Sequence, residues 1–140
     1  MKIPFIVVLL VLCAGCTRKP EVRVFSANRI DATVADRKAW VREYKKKDRS
    51  RFDAEYGSLL GAKTFEAKEA MQIGYLYFYS SGSLCGYLDN PRLTDGVWQL
   101  DFSPGFPPAG GDPVFVDAMT GKVWQRGQKK FDALALCRYE

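Results

Sequence analysis

The chain of 140 residues contains no histidine, and that absence removes more chemistry than any other feature of its composition. Without an imidazole there is no side chain poised near neutrality, no Ser–His or Cys–His nucleophile, and none of the commonest zinc ligand. Cysteine is sparse as well, at four residues. The apolar run Ile3 to Leu12, interrupted by Pro4, falls short of the roughly 20 residues that a membrane-spanning helix needs. No period at repeat-protein spacing is present, which excludes a solenoid or a propeller. The glycine pair in Ala109-Gly110-Gly111-Asp112 lacks the Lys-Ser/Thr and the following helix of a phosphate-binding loop. Carboxylate pairs could still do acid–base work. Asp101 and Asp117 are expected on neighbouring strands, and Asp89 and Asp95 flank a turn. Such exposed carboxylates ordinarily cap turns or face solvent. The reading is therefore not an enzyme, with no cofactor and no metal.

What is present begins with MKIPFIVVLLVLCAGC. Lys2 gives a positive start, an apolar core follows, and small residues lead into a cysteine, the pattern of a signal peptide. Ala14-Gly15-Cys16 resembles the lipobox of bacterial lipoproteins, with Cys13 where that family prefers leucine. The resemblance implies that residues 1–15 are removed and that Cys16 becomes the acylated, palmitate-bearing first residue. The alternative is an ordinary secretory signal cleaved near Ala14. On the lipoprotein reading the protein lives in the bacterial cell envelope, held to the membrane by its N-terminal lipid. Thr17 is not the aspartate that retains many lipoproteins at the inner membrane, so in a Gram-negative cell the periplasmic face of the outer membrane is the expected site. Nucleic acid is not an expected partner there.

The signal also sorts the cysteines. Cys13 leaves with it and Cys16 takes the lipid, so Cys85 and Cys137 remain as an even pair in an oxidising compartment, most simply one disulfide. Closing a loop of roughly fifty residues, it would contribute about 3–4 kcal/mol if unstrained. A free reactive thiol is the rival, without a histidine to activate it.

Residues 16–21 read as a short tether and 22–140 as a single domain, large enough for one core and too small for two. Removing residues 1–15 takes only Lys2 from the 21 basic residues and none of the 16 acidic ones. Basic charge concentrates between Arg37 and Arg51, where eight Lys and Arg oppose Glu43 and Asp48. Val22 to Phe25 is a brief candidate strand. Thr33 to Lys47 reads as an amphipathic helix capped by Asp31 or Thr33, with Val34, Trp40, Val41 and Tyr44 on its apolar side. Phe52 to Leu60 reads as a second short helix that Gly57 and Gly61 loosen. Thr64 is placed as the cap of a helix over Phe65 to Tyr79, whose aromatic end, Tyr75 to Tyr79, implies burial on more than one side. A strand is the alternative for those five residues.

Strands are expected over Leu84–Leu88, ended by Asp89-Asn90-Pro91, and over Gly96–Phe102, where alternation sets Trp98, Leu100 and Phe102 opposite Val97, Gln99 and Asp101. The Pro- and Gly-rich stretch 104–111 is a loop. Val114–Asp117 and Lys122–Gln125 flank a hairpin in which Gly121 supplies a positive φ. Phe131 to Tyr139 fits either a strand or a short helix. Helices first and antiparallel strands after give an α+β fold, N-terminal helices packed on a small antiparallel sheet.

Val116-Asp117-Ala118-Met119-Thr120-Gly121-Lys122-Val123 resembles a turn of PepSY-type domains and of nuclear-transport-factor-like immunity proteins. Glu69-Ala70, Trp98 and Gly110-Gly111 precede it in the order those families show. The resemblance spans about residues 64–126 and implies a domain that binds or inhibits another protein, with no shared catalytic residues. Arg42, Lys45, Lys46 and Lys47 on the basic helix, Trp98, and Phe106 in the Pro-rich loop are the binding candidates. The leading expectation is a lipid-anchored, non-catalytic protein-binding module, an immunity-like inhibitor among the possibilities. The alternative is a structural or accessory lipoprotein whose basic helix lies on anionic lipid.

Overall fold

The computed structural model describes residues 32–82, 86–103 and 111–139. The signal segment, Cys16, the candidate strand at 22–25, Cys85 and Phe106 lie outside the described residues. Helices come first and a five-stranded antiparallel sheet follows, in one domain of α+β class.

Helix α1 (Val34–Tyr56) starts at a capping box: Thr33 Oγ1 accepts from Asp36 N–H at 3.1 Å, and Asp36 Oδ2 accepts from Thr33 N–H at 2.9 Å. The box satisfies two of the amides that a helix start leaves orphaned. At Asp48 the backbone leaves helical geometry (φ −156°, ψ 79°), and Asp48 Oδ1 accepts from Arg51 N–H at 3.0 Å. Asp48 thus re-caps the chain, and the two expected helices are two halves of one kinked element. Trp40, Tyr44, Phe52 and Tyr56 run through the kink as an edge-packed series, with ring centroids 5.1–5.4 Å apart. Each such pair adds to the burial of its rings. A 3₁₀ turn, Gly57–Gly61, buries Leu59.

Helix α2 (Ala67–Ser80) starts two residues later than Thr64 would place it. Phe65 explains the difference, because its N–H donates to Ala118 O at 2.9 Å and its carbonyl accepts from Trp98 Nε1 at 2.8 Å. With its backbone tied to the sheet, Phe65 cannot enter the helix, and Glu66 caps instead, paired with Glu69. Ile73, Leu76, Tyr77, Phe78 and Tyr79 are buried. The aromatic end is helical and covered on several sides, because α2 lies between α1 and the sheet. A helix in that position is apolar most of the way round. At Gly74 an added Cβ would sit 2.6 Å from Leu88 Cδ1 and 2.7 Å from Leu100 Cδ1, so the missing side chain sets how closely α2 approaches the strands.

The strands form a meander in sequence order: β1 (Tyr87–Thr94), β2 (Val97–Ser103), β3 (Val114–Asp117), β4 (Lys122–Gln125) and β5 (Phe131–Asp132). Strand β1 does not stop at Asp89-Asn90-Pro91. It absorbs them as a bulge between Asp89 and Arg92, with Asn90 at φ 53°, and runs on to Thr94. Asp95 (φ 50°) and Gly96 (φ 76°) then turn the chain into β2, the paired positive φ values of a two-residue hairpin. Leu88, Leu100, Val114, Val116 and Val123 bury their side chains toward α2. A short helix, α3 (Leu134–Cys137), follows β5 and packs on α1 and the 3₁₀ turn. The ambiguous last segment is therefore a strand and then a helix.

Arg37 locks these layers together. Its residue is only 3% exposed, which corrects the amphipathic reading that left Arg37 off the apolar side of the helix. One guanidinium nitrogen donates to Tyr77 O and, at 2.8 Å, to Ser80 Oγ. The group also lies 4.3 Å from the Tyr77 ring centre and 5.0 Å from that of Phe131. Helix α2 has no basic residue in its own last turn, so α1 supplies the cation that its C-terminal carbonyls favour. Arg37→Ala is expected to lower the unfolding free energy by about 3 kcal/mol in urea titration, and Arg37→Met by less, since its stem still packs on both rings. Trp98→Phe, which strands the Phe65 carbonyl, is expected to cost about 1–2 kcal/mol.

Candidate binding surfaces

The basic face of α1 divides three ways. Arg37 is core. Arg42 donates to the Tyr139 hydroxyl, and Lys45 Nζ donates to Tyr139 O at 2.5 Å and Cys137 O at 3.4 Å. Lys38 and Arg42 also lie over the Tyr139 ring, at 5.1 and 5.4 Å. These cations hold the C-terminal segment against α1, with Lys45 complementing the carbonyl end of α3. Lys46, Lys47 and Arg49 are exposed, and Arg49 approaches Asp53 at 4.0 Å. The structure does not bring Arg42 and Lys45 together with Lys46 and Lys47 as one free patch.

Trp98 faces inward, half-buried, with its indole N–H spent on Phe65. Its role is to pin the loop before α2 to the sheet. Phe106 lies outside the described residues. The carboxylates have structural tasks too. Asp101 takes a two-pronged contact from Arg92, at 2.8 and 3.1 Å, and a bond from Asn90 Nδ2 at 3.1 Å. The Arg92 bonds hold its carboxyl below the usual range. Asp117 Oδ1 accepts from Met119 N–H at 2.8 Å and Thr120 N–H at 2.9 Å, and these turn amides, that of Thr120 foremost, lower its pKa. The turn chemistry read from the sequence is thus present, and Gly121 adopts φ 71°. Asp101 and Asp117 do sit on adjacent strands, but Asp101 is registered with Asp89 and Asp117 with Val97. They occupy opposite ends of β2–β3 and form no pair.

An open cleft of about 610 Å³ lies between the end of α1 and α2, lined by Ala54, Tyr56, Lys68, Met71, Gln72 and Tyr75 among others. Two of its side chains, Gln72 and Tyr75, donate or accept within the fold. Gln72 Nε2 donates to Glu55 O at 2.5 Å, and the Tyr75 hydroxyl both accepts from Leu88 N–H at 3.1 Å and donates to Leu88 O at 3.2 Å.

The opposite face of the sheet is the surface that sequence reasoning missed. Because Val114, Val116 and Val123 point inward, Phe115, Lys122 and Trp124 point outward. Phe115 and Trp124 are cross-strand partners whose rings stack with centroids 5.8 Å apart and planes 23° from parallel. Lys130 Nζ lies 4.5 Å from the Trp124 ring centre. Both rings are half-buried, whereas Lys122, Arg126, Lys129 and Lys130 are exposed. The signal was available: alternation on either side of the Gly121 hairpin places the two rings in register.

Cys137 is a buried thiol, its Sγ 4.0 Å from Tyr56 O, and its pairing with Cys85 stays an expectation. Burial pushes the thiol up to about 11 from 9.0. Burial likewise raises Tyr44, where Glu55 adds to it, and also Tyr56 and Tyr77. An acid raised in the folded state contributes stability below its unfolded pKa and loses it as pH climbs to the folded value. In reducing buffer the urea midpoint is therefore expected to stay level from about pH 5 to pH 8.5, where no histidine titrates. It should then fall, with Cys137 alone removing about 2 kcal/mol between pH 9 and 11. A midpoint unchanged at pH 10.5 contradicts this. No protein-family model, no curated protein and no solved structure matches this chain.

Proposed function

We propose that the chain is a lipoprotein of the bacterial cell envelope, tethered through a lipid on Cys16, whose domain acts by binding another protein and performs no catalysis. An immunity-like inhibitor that docks an envelope toxin is the most specific form of this reading. The anchor rests on Lys2, the apolar core and Ala14-Gly15-Cys16. The binding role rests on one observation above the others: the described helices cover a single face of the sheet, and a stacked aromatic pair stands on the other. Aromatic rings at the centre of an accessible face are characteristic of protein-binding sites. The engagement of Asp101 by Arg92 and of Asp117 by turn amides supports the non-catalytic reading. The alternative, a basic helix lying on anionic lipid, is less favoured, since Arg37 is buried and Arg42 and Lys45 engage Tyr139.

The full chain expressed in a bacterial host, alongside Cys16→Ser, tests both parts. Wild type is expected to incorporate labelled palmitate, to yield a mature N-terminus at Cys16 and to fractionate with membranes, while Cys16→Ser is unlabelled. Crosslinking in envelopes of the native organism is expected to recover one protein partner in near-equal amount. An unlabelled wild type overturns the anchor, and recovery of no protein overturns the binding role.

A further inference from the structure

We infer that the outward face of β3–β4, centred on Phe115 and Trp124, is the docking site, and that it takes an acidic polypeptide segment carrying an apolar side chain between carboxylates. The inference rests on the protein-binding reading and names both the surface and the partner chemistry. At the centre, the stacked rings offer a flat apolar patch, and the ammonium of Lys130 over Trp124 makes its margin cationic. Around it, Lys122 shares the outward side of β4 with Trp124, while exposed Arg126, Lys129 and Lys130 come from the connection to β5. The acids around it are engaged. Asp117 accepts from the amides of Met119 and Thr120, Asp132 is registered with Lys122 and accepts from Leu134 N–H at 3.1 Å, and Asp101, on the outward side of β2, is held by Arg92. Lys122 and Lys130 beside Trp124 therefore give the ring pair a positive margin on the β4–β5 side.

Charge complementarity therefore selects a negative partner, and the ring pair selects one with a side chain to bury. An extended peptide suits the geometry, since it lays alternate side chains on one surface. The face suits it better than the first half of the β1 edge, where backbone groups are already engaged. The Tyr75 hydroxyl occupies Leu88 N–H and C=O, Asp89 Oδ1 takes Asn90 N–H at 2.7 Å, and Pro91 has no N–H to offer.

The test is a titration at low salt of the full Cys16→Ser chain, kept in a neutral detergent, with the synthetic peptide Asp-Glu-Glu-Leu-Phe-Glu-Asp-Asp. Tryptophan emission and backbone NMR shifts are followed. Binding is expected to shift the Trp124 indole and the β3–β4 amides and to weaken about tenfold or more with Lys122→Glu/Lys130→Glu. It should change less than twofold with Lys46→Glu/Lys47→Glu. Trp124→Ala, checked for native circular dichroism, is expected to abolish it, and the charge-reversed pair serves if that variant does not fold. A peptide that fails to bind, shifts confined to α1, or equal weakening by both charge-reversed pairs overturns the site. So does binding of phosphatidylglycerol vesicles through Lys122 and Lys130 where the peptide has no effect. In envelope crosslinking, a partner still captured by Lys122→Glu/Lys130→Glu overturns this site alone. Loss of any partner from wild type overturns the broader binding role.

Discussion

The guanidinium of Arg37 is the constraint around which the layers are arranged. Burial disfavours its charge, yet an arginine cannot shed its proton in a protein. The fold must therefore supply compensation from groups that are remote in sequence. It does so with the Tyr77 carbonyl and the Ser80 hydroxyl at the end of α2, and with the faces of Tyr77 and Phe131. Helix α1, the C-terminal turn of α2 and strand β5 become mutually dependent as a result. None can shift far without leaving a desolvated cation, and that penalty exceeds what an ordinary surface pair contributes.

Placing α2 in the middle has consequences for both of its sides. Toward α1 it presents the Arg37 contacts. Toward the sheet, Gly74 lets the backbone come within reach of Leu88 and Leu100. The same helix reaches past the sheet edge, where Tyr75 satisfies Leu88. One short amphipathic element thus fixes the layer spacing and blocks the edge most open to unwanted pairing. The bulge and Pro91 complete that protection. Among the described residues, no helix covers the outer face of the sheet.

Local signals were legible in the sequence and long-range ones were not. The capping residue Thr33, the Gly121 turn and the alternation of β2 each depend on neighbours within a few positions, and each appears in the structure. Thr64 failed as a cap because Phe65 is claimed by Ala118 and Trp98, partners more than thirty positions away. Asp89-Asn90-Pro91 looked like a terminator because turn residues and bulge residues share a composition. Asp95-Gly96 carried the stronger hairpin signal, and with it β1 extends to Thr94. Arg37 sits in a run of basic residues, yet its spacing from Val34, Val41 and Tyr44 is that of the apolar side of α1, which Lys38 does not share. Its charge argued against that position, and the partners that let a cation occupy it, Tyr77, Ser80 and Phe131, are remote in sequence.

The same distinction governs how the positive charge is used. A formal net charge of +5 and a basic stretch on one helix direct attention to α1. There, however, Arg37, Lys38, Arg42 and Lys45 serve Tyr77, Ser80, Tyr139 and the end of α3, and a group already engaged gains little from a second partner. Lys122 and Lys130 are fewer, but they stand beside two aromatic rings that no described helix covers. For a small domain, then, a local count of charge is a poor guide to its recognition surface. The better guide is the set of cations left beside apolar surface after the internal contacts have been made.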